Sequence, residues 1–155
     1  MKYLIPGYKT LMIENVVMYF NGTISVDGRM RESVKQRIVQ LAERYKVYVL
    51  TSDTQGTAAK ELANLPVTLK IYNTEHAGEC KKTFVEGLGS DTCACVGNGN
   101  NDVIMFKAAA LSIAVLEEEG LFAPLLTASD ILIKSSEDAL DLLLDEKRII
   151  SGLRG

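Results

Sequence analysis

The sequence is poor in the side chains that hold soft metals: it has one histidine, His76, and three cysteines, Cys80, Cys93 and Cys95. A zinc-type centre needs more such ligands at suitable spacing. An odd number of cysteines argues against a disulfide framework, and "TCACV" reads as buried strand thiols. No apolar run approaches the roughly 18 residues of a membrane span. The stretch "MKYLIPGYKT" is too short, and too interrupted by Pro6 and Gly7, for a signal peptide. Basic residues are in deficit, with a net charge of −3 and a pI near 5.2. A nucleic-acid partner therefore has no support from bulk electrostatics. The expectation is a cytoplasmic protein with neither nucleic acid nor membrane as partner.

What is present is ordinary globular composition: 155 residues, 47% hydrophobic and 24% charged, enough for one domain, residues 1–155, with a proper core. Strand and helix signals alternate. "YLIPGYKTLMI" reads as an opening hairpin within an N-terminal extension, residues 1–15. "NVVMYF" is a short apolar strand. "RESVKQRIVQLAERY" sets Val34, Ile38, Leu41 and Tyr45 on one helical face. "KVYVL" is a strand, "AAKELANL" a helix stopped by Pro66, and "VTLKIY" a strand. "EHAGECKKTFVEGLG" is a helix closed at Gly89. "TCACV", "LSIAV" and "DILIK" are further strands, separated by the helices "VIMFKAAA" and "GLFAPLLTA". A final helix, residues 135–155, starts at a Ser cap with Glu and Asp in its first turn. Such alternation predicts an α/β fold with a doubly wound, mainly parallel sheet covered on both faces. Ligands of that architecture bind beyond the carboxyl ends of the strands.

Three loops at those ends share one character: "NGT" at 21–23, "TSDT" at 51–54 and "GNGNND" at 97–102. Gly-rich turns and helix N-termini offer backbone N–H groups to anions, and a hydroxyl adds a donor. Together they point to a phosphate site.

These residues resemble the haloacid dehalogenase (HAD) superfamily of phosphatases. Within it, the likeness is to capless soluble proteins similar to the phosphorylation domain of P-type ATPases. The family's first motif, Asp-x-[Asp/Asn]-Gly-Thr after a strand, aligns with "YFNGTI". Its Thr or Ser at the next strand end matches Thr51, and its helical Lys matches Lys81, with Lys82 the neighbouring candidate. Gly-[Asp/Asn]-Gly-x-Asn-Asp matches "GNGNND". The likeness runs from Val16 to about Leu144. It implies a three-layer Rossmann-like fold with a Mg²⁺-dependent phosphoryl-transfer site. The catalytic positions are Tyr19, Asn21 and Lys81. The phosphate-binding ones are Gly22, Thr23, Thr51, Ser52 and Lys81. Mg²⁺ would be held by the backbone carbonyl of Asn21 and by the side chain of Asp102, with Asn98 nearby. The partner implied is a phosphorylated small molecule or a bulky phospho-substrate.

Structural readings stand beside these. Asp102 can be a helix N-cap, Thr51 a strand-end hydroxyl, Lys81 and Lys82 solvated helix residues, and Asn100 and Asn101 turn residues. Asp53 can cap the following helix, and His76 can be a surface residue at a helix start. One departure bears on activity. Where the family has its nucleophilic Asp, which forms a phospho-aspartate, this chain has Tyr19. A phenol with pKa near 10 is neutral at pH 7 and reaches farther from the backbone than a carboxylate. Only Asp102 remains to face a metal, so Mg²⁺ binding is expected to be weak or absent and turnover impaired, leaving a phosphate-binding or assembly module. The alternative is an active phosphatase with an atypical nucleophile. One helix and one strand fill most of the stretch from Thr23 to Thr51, leaving no room for a cap domain. The turn at Asp27-Gly28 is a candidate contact in a homo-oligomer.

Overall fold

A computed structural model describes all 155 residues. The elements in chain order are β1 (Lys2–Leu4), β2 (Thr10–Met12), β3 (Asn15–Tyr19), α1 (Glu32–Ala42), β4 (Lys46–Thr51), α2 (Thr57–Glu61), β5 (Thr68–Ile71), α3 (Ala77–Leu88), β6 (Cys93–Gly97), α4 (Val103–Ala108), β7 (Leu111–Val115), α5 (Leu125–Ala128), β8 (Ile131–Ile133), α6 (Ser136–Leu144) and α7 (Glu146–Leu153). Six strands form one parallel sheet in the order β5-β4-β3-β6-β7-β8, and β1 and β2 form an antiparallel hairpin. The chain starts mid-sheet at β3, builds outward through β4 and β5, then returns to β6 on the other side. That reversal opens a crevice at the carboxyl ends of β3 and β6, the usual ligand position in such sheets. No helix is long and apolar enough to cross a membrane.

Side-chain alternation along each strand divides the core in two. Val16, Met18 and Phe20 of the β3 segment join the larger cluster, with Val34 and Ile38 of α1 and Leu140 and Leu143 of α6. Val17 faces the other way and packs with Val85 of α3 and Met105 of α4. Tyr19, two residues on, shares the parity of Val17 and so is directed to the side covered by α3. On α3 itself, Ala77, Lys81 and Val85 are the buried residues. Their four-residue spacing is one helical stripe, and it carries a lysine into the core.

Several elements are shorter than the sequence pattern predicts. α2 ends at Glu61, and Asn64 follows with φ of +66°, so the chain leaves the helix before reaching Pro66. The expected single C-terminal helix is two helices. Ser135 caps α6 by accepting from Asp138 N at 3.1 Å. The helix then breaks at Asp145 (φ −119°, ψ 99°), whose carboxylate caps α7 by accepting from Lys147 N. The break lets α7 turn back so that Ile149 packs into the core beside the N-terminal hairpin. Tyr3 and Tyr45 meet there, hydroxyl to hydroxyl, and Tyr45 also donates to Leu143 O at 2.8 Å.

α1 and α6 are clamped by charge. Arg31 donates to both oxygens of Glu137 (2.7 and 2.8 Å) and to Glu117 at 2.5 Å, and Ser33 donates to Glu137 at 2.7 Å. A bidentate Arg–carboxylate pair is among the stronger charge-assisted contacts. The Arg31 guanidinium holds the Glu137 carboxyl at about 2, below its ordinary 4.5, with Ser33 adding to the effect against the cost of burial. The depressed folded value makes this a stabilisation that is complete above pH 4.5 and lost as pH falls towards 2. Glu137→Gln is expected to lower unfolding free energy at neutral pH by about 1–3 kcal/mol, with allowance for the solvent reaching Arg31. Urea denaturation across that acid range checks it, because the gap between the two proteins should close as pH falls. A gap independent of pH would rule out the charge clamp.

Candidate active site

Tyr19 ends β3 and lies half-buried at the mouth of the crevice. The centre of its ring is 3.6 Å from Lys81 Nζ, so the ammonium sits against the aromatic face, a favourable cation–π arrangement. Lys81 Nζ also donates to Asn101 Oδ1 and Asp102 Oδ1, both at 2.7 Å. The side chains of Lys81 and Asp102 are 2% and 0% exposed. Lys82, by contrast, is exposed and pairs with Glu86 along the helix at 3.5 Å. Lys81 is therefore the lysine that faces the strand ends.

The short 3-10 turn Asn100–Asp102, after β6, delivers Asp102 inward. Asp102 makes no side-chain cap on α4. Its Oδ2 instead turns back to accept from the backbone N–H groups of Asn98 (3.1 Å) and Gly99 (3.0 Å). Gly97 is needed beneath it, because a Cβ there would collide with the Asp102 carboxylate. Asn98 is committed as well. Its Oδ1 accepts from Thr23 Oγ1 at 2.9 Å, and its Nδ2 donates to Gly120 O at 3.2 Å. Gly22, at φ of +73°, lets the β3 loop approach so closely that a Cβ would run into the Asn98 carboxamide.

The other phosphate-site candidates are also held by the chain. Thr51 is buried, and its Oγ1 accepts from Asp53 N at 3.0 Å. Asp53 in turn caps α2 by accepting from Ala58 N at 3.0 Å, and that bond, with a second from Gln55 N, lowers its pKa. Gly22 N donates to Ser25 O at 3.0 Å. Ser52 Oγ stands 3.5 Å from the Tyr19 hydroxyl. The tip at Asp27-Gly28 has positive φ at both residues, as a two-residue hairpin turn requires, and Asp27 N donates to Glu119 of the same chain.

The crevice outside this cluster has a volume of about 700 Å³. It is lined by Tyr19, Asn21, Asn98 and Asn100 from the strand-end loops and by Glu75, His76, Gly78 and Glu79 around the start of α3. No lysine or arginine lines it, and neither Thr51 nor Asp102 reaches its wall. The sequence reading missed Glu75 and Glu79. It also left Asn101 to the turn alone, although its carboxamide oxygen is one of the two that hold Lys81. The amide at the 3-10 turn, directly before an inward-facing Asp, was the available signal.

No protein-family model matches the chain. Two uncharacterized proteins of Methanocaldococcus jannaschii are similar in sequence. One, MJ0073, is 48% identical over 54 residues, which is 35% of this chain, and the chain spans 58% of its length. The other, MJ0072, is 44% identical over 39 residues, 25% of this chain and 89% of that protein. The chain and MJ0072 belong to one family. Solved structures extend the comparison. The 3-deoxy-D-manno-octulosonate 8-phosphate phosphatase of Moraxella catarrhalis, in complex with magnesium, phosphate and KDO, superposes with a TM-score of 0.73 at 14% identity, covering 90% of each chain. The cobalt-bound deoxy-D-mannose-octulosonate 8-phosphate phosphatase of Haemophilus influenzae gives 0.72 at 15%, covering 87% of this chain and 89% of that one. A phospho-aspartyl intermediate analogue of phosphoserine phosphatase gives 0.57 at 15%, covering 84% and 98%.

This chain has the HAD fold.

The two octulosonate phosphatase neighbours carry divalent metals, and the donor set of this HAD-fold chain differs from what Mg²⁺ requires. Mg²⁺ wants near-octahedral oxygen ligation from carboxylates and waters. No group of three or more His, Cys, Asp or Glu side chains is gathered as metal ligands. Asp102 has both oxygens engaged and is fully buried against an ammonium. Two unit charges about 4 Å apart interact by about 4 kcal/mol at an effective dielectric of ~20, and a dication doubles that repulsion. Residue 19 supplies no carboxylate to offset it. Both amide atoms of Asn98 are used, and Asn21 alone is open. These residues do not fit Mg²⁺.

Lys81→Met removes one partner of a buried ion pair and leaves Asp102 uncompensated. The expected loss is about 3–5 kcal/mol of stability. Lys81→Met with Asp102→Asn should recover most of that loss, because the amide oxygen still accepts from Asn98 and Gly99. A double-mutant cycle by denaturant titration measures the coupling, and additive single effects would contradict a direct pair.

Proposed function

We propose that this chain is a non-catalytic HAD-fold domain, of the capless type akin to the phosphorylation domain of P-type ATPases, that serves as a binding or assembly module. One observation carries the reading: at the strand-end position where the family's aspartate attacks phosphorus, Tyr19 lies with its ring on Lys81 at 3.6 Å. A neutral phenol cannot form an acyl phosphate, and its ring covers the ammonium that would steady a phosphoryl group. Between a phosphorylated small molecule, as handled by the octulosonate phosphatase neighbours, and a partner in an assembly, the geometry favours the second. Thr23 and Lys81 donate to contacts within the chain, and the open crevice presents Glu75 and Glu79 to an incoming anion. Cytoplasmic residence belongs to the same proposal, since Cys80, Cys93 and Cys95 are all free and disulfides persist mainly in oxidising compartments.

Incubation with p-nitrophenyl phosphate, with and without Mg²⁺, tests it. The wild type is expected to release no phosphate above the blank. Mg²⁺-dependent release by the wild type, abolished by Asp102→Ala, would replace this reading with that of an active phosphohydrolase using another nucleophile. Tyr19→Asp returns a carboxylate to the strand end. Turnover in that variant alone would identify residue 19 as the single catalytic loss.

A further inference from the structure

We infer that the Lys81 ammonium stands permanently in place of a bound divalent cation, so that metal competes with this lysine instead of adding to the site. The inference rests on Tyr19 occupying the nucleophile position, and it concerns cation binding, not turnover.

Three features of the cluster carry it. The first is charge. Within the buried cluster one carboxylate, Asp102, faces one ammonium, Lys81, at 2.7 Å, and the residue beside them is the Tyr19 ring, not a second carboxylate. The sum is zero, and an added dication would leave an excess of two positive charges where burial makes such an excess costly. The second is coordination. An ammonium has three N–H donors. Here two meet the oxygens of Asn101 and Asp102, and the face of the Tyr19 ring closes the third direction. The lysine is thus surrounded in the way a bound cation is, by two oxygens and a π face. The third is saturation. No buried side-chain nitrogen or oxygen in the molecule lacks a hydrogen-bond partner, and the Asp102 carboxylate already accepts from Lys81 and from the N–H groups of Asn98 and Gly99. Asp102 can become a metal ligand only by giving up Lys81.

Loss of the free Mn²⁺ signal in electron paramagnetic resonance, with metal titrated to about 1 mM, reads the competition directly. The wild type is expected to leave the Mn²⁺ signal undiminished, and its melting temperature should be the same in Mg²⁺ as in EDTA. Lys81→Met should bind Mn²⁺ about tenfold or more tighter than the wild type and regain melting temperature when Mn²⁺ or Mg²⁺ is added. Lys81→Met combined with Asp102→Asn should do neither. Lys81→Gln keeps a donor to Asp102 without the charge, and it replaces Lys81→Met in the titration where that variant is insoluble. Sub-millimolar Mn²⁺ binding by the wild type overturns the inference, as does absence of binding in the charge-free variant. A wild type that binds Mn²⁺ yet releases no phosphate overturns this inference and leaves the functional reading standing. One that releases phosphate without binding Mn²⁺ does the reverse.

Discussion

The buried Lys81–Asp102 pair is the contact on which the arrangement of the strand-end loops depends. Taking two charges out of water is costly, and the cost is met only when the geometry is good and the remaining donors and acceptors are filled. Here they are filled in sequence. Asp102 gathers the N–H groups of Asn98 and Gly99, Asn98 then reaches Thr23 and Gly120, and the Thr23 carbonyl accepts from Ser136 Oγ. One ion pair is thereby linked to the β3 loop, the loop after β7 and the start of α6. A charge change at its centre is thus connected to all three segments.

Strand parity explains why a tyrosine can join this network without disrupting it. Tyr19 points to the face that α3 covers because Val17 does, and Lys81 is on the buried stripe of α3 between Ala77 and Val85. A carboxylate at residue 19 would compete with Asp102 for the ammonium. A phenol ring instead offers Lys81 a polarisable face and leaves Asp102 as its sole counter-ion. The same few ångströms that suit phosphoryl transfer, with an aspartate on one side and a lysine on the other, here suit an internally neutral brace.

Much of the fold was legible because two periodicities carry it. The β3 strand, the buried stripe of α1 at Val34, Ile38 and Leu41, and the stop of α3 at Gly89 all follow from spacing and end residues. The break at Asp145 was hidden by the apolar run on either side, which reads as one continuous helix. Its signal was Asp145 itself, an N-cap residue followed by Glu146. The residues gathered at the strand ends, Lys81, Asn98 and Asp102, were individually legible as candidates, but their contacts were not. Pattern cannot tell whether a polar side chain faces a ligand or another part of the chain. The mutual saturation of Asn98, Thr23 and Asp102, and the stacking of Tyr19 on Lys81, depend on distances that only the packed sheet defines.

The glycines of "GNGNND" and "NGT" have a consequence for how such motifs persist through descent. Gly97 and Gly22 are held by steric necessity against Asp102 and Asn98, and Asp102 is held by the folding free energy of its pair. Selection for a folded chain would by itself be enough to preserve these letters, whatever chemistry the strand ends carry out. Gly97, Gly22 and Asp102 thus answer to architecture first, so their presence in a sequence reports the shape of the strand ends before it reports any reaction there.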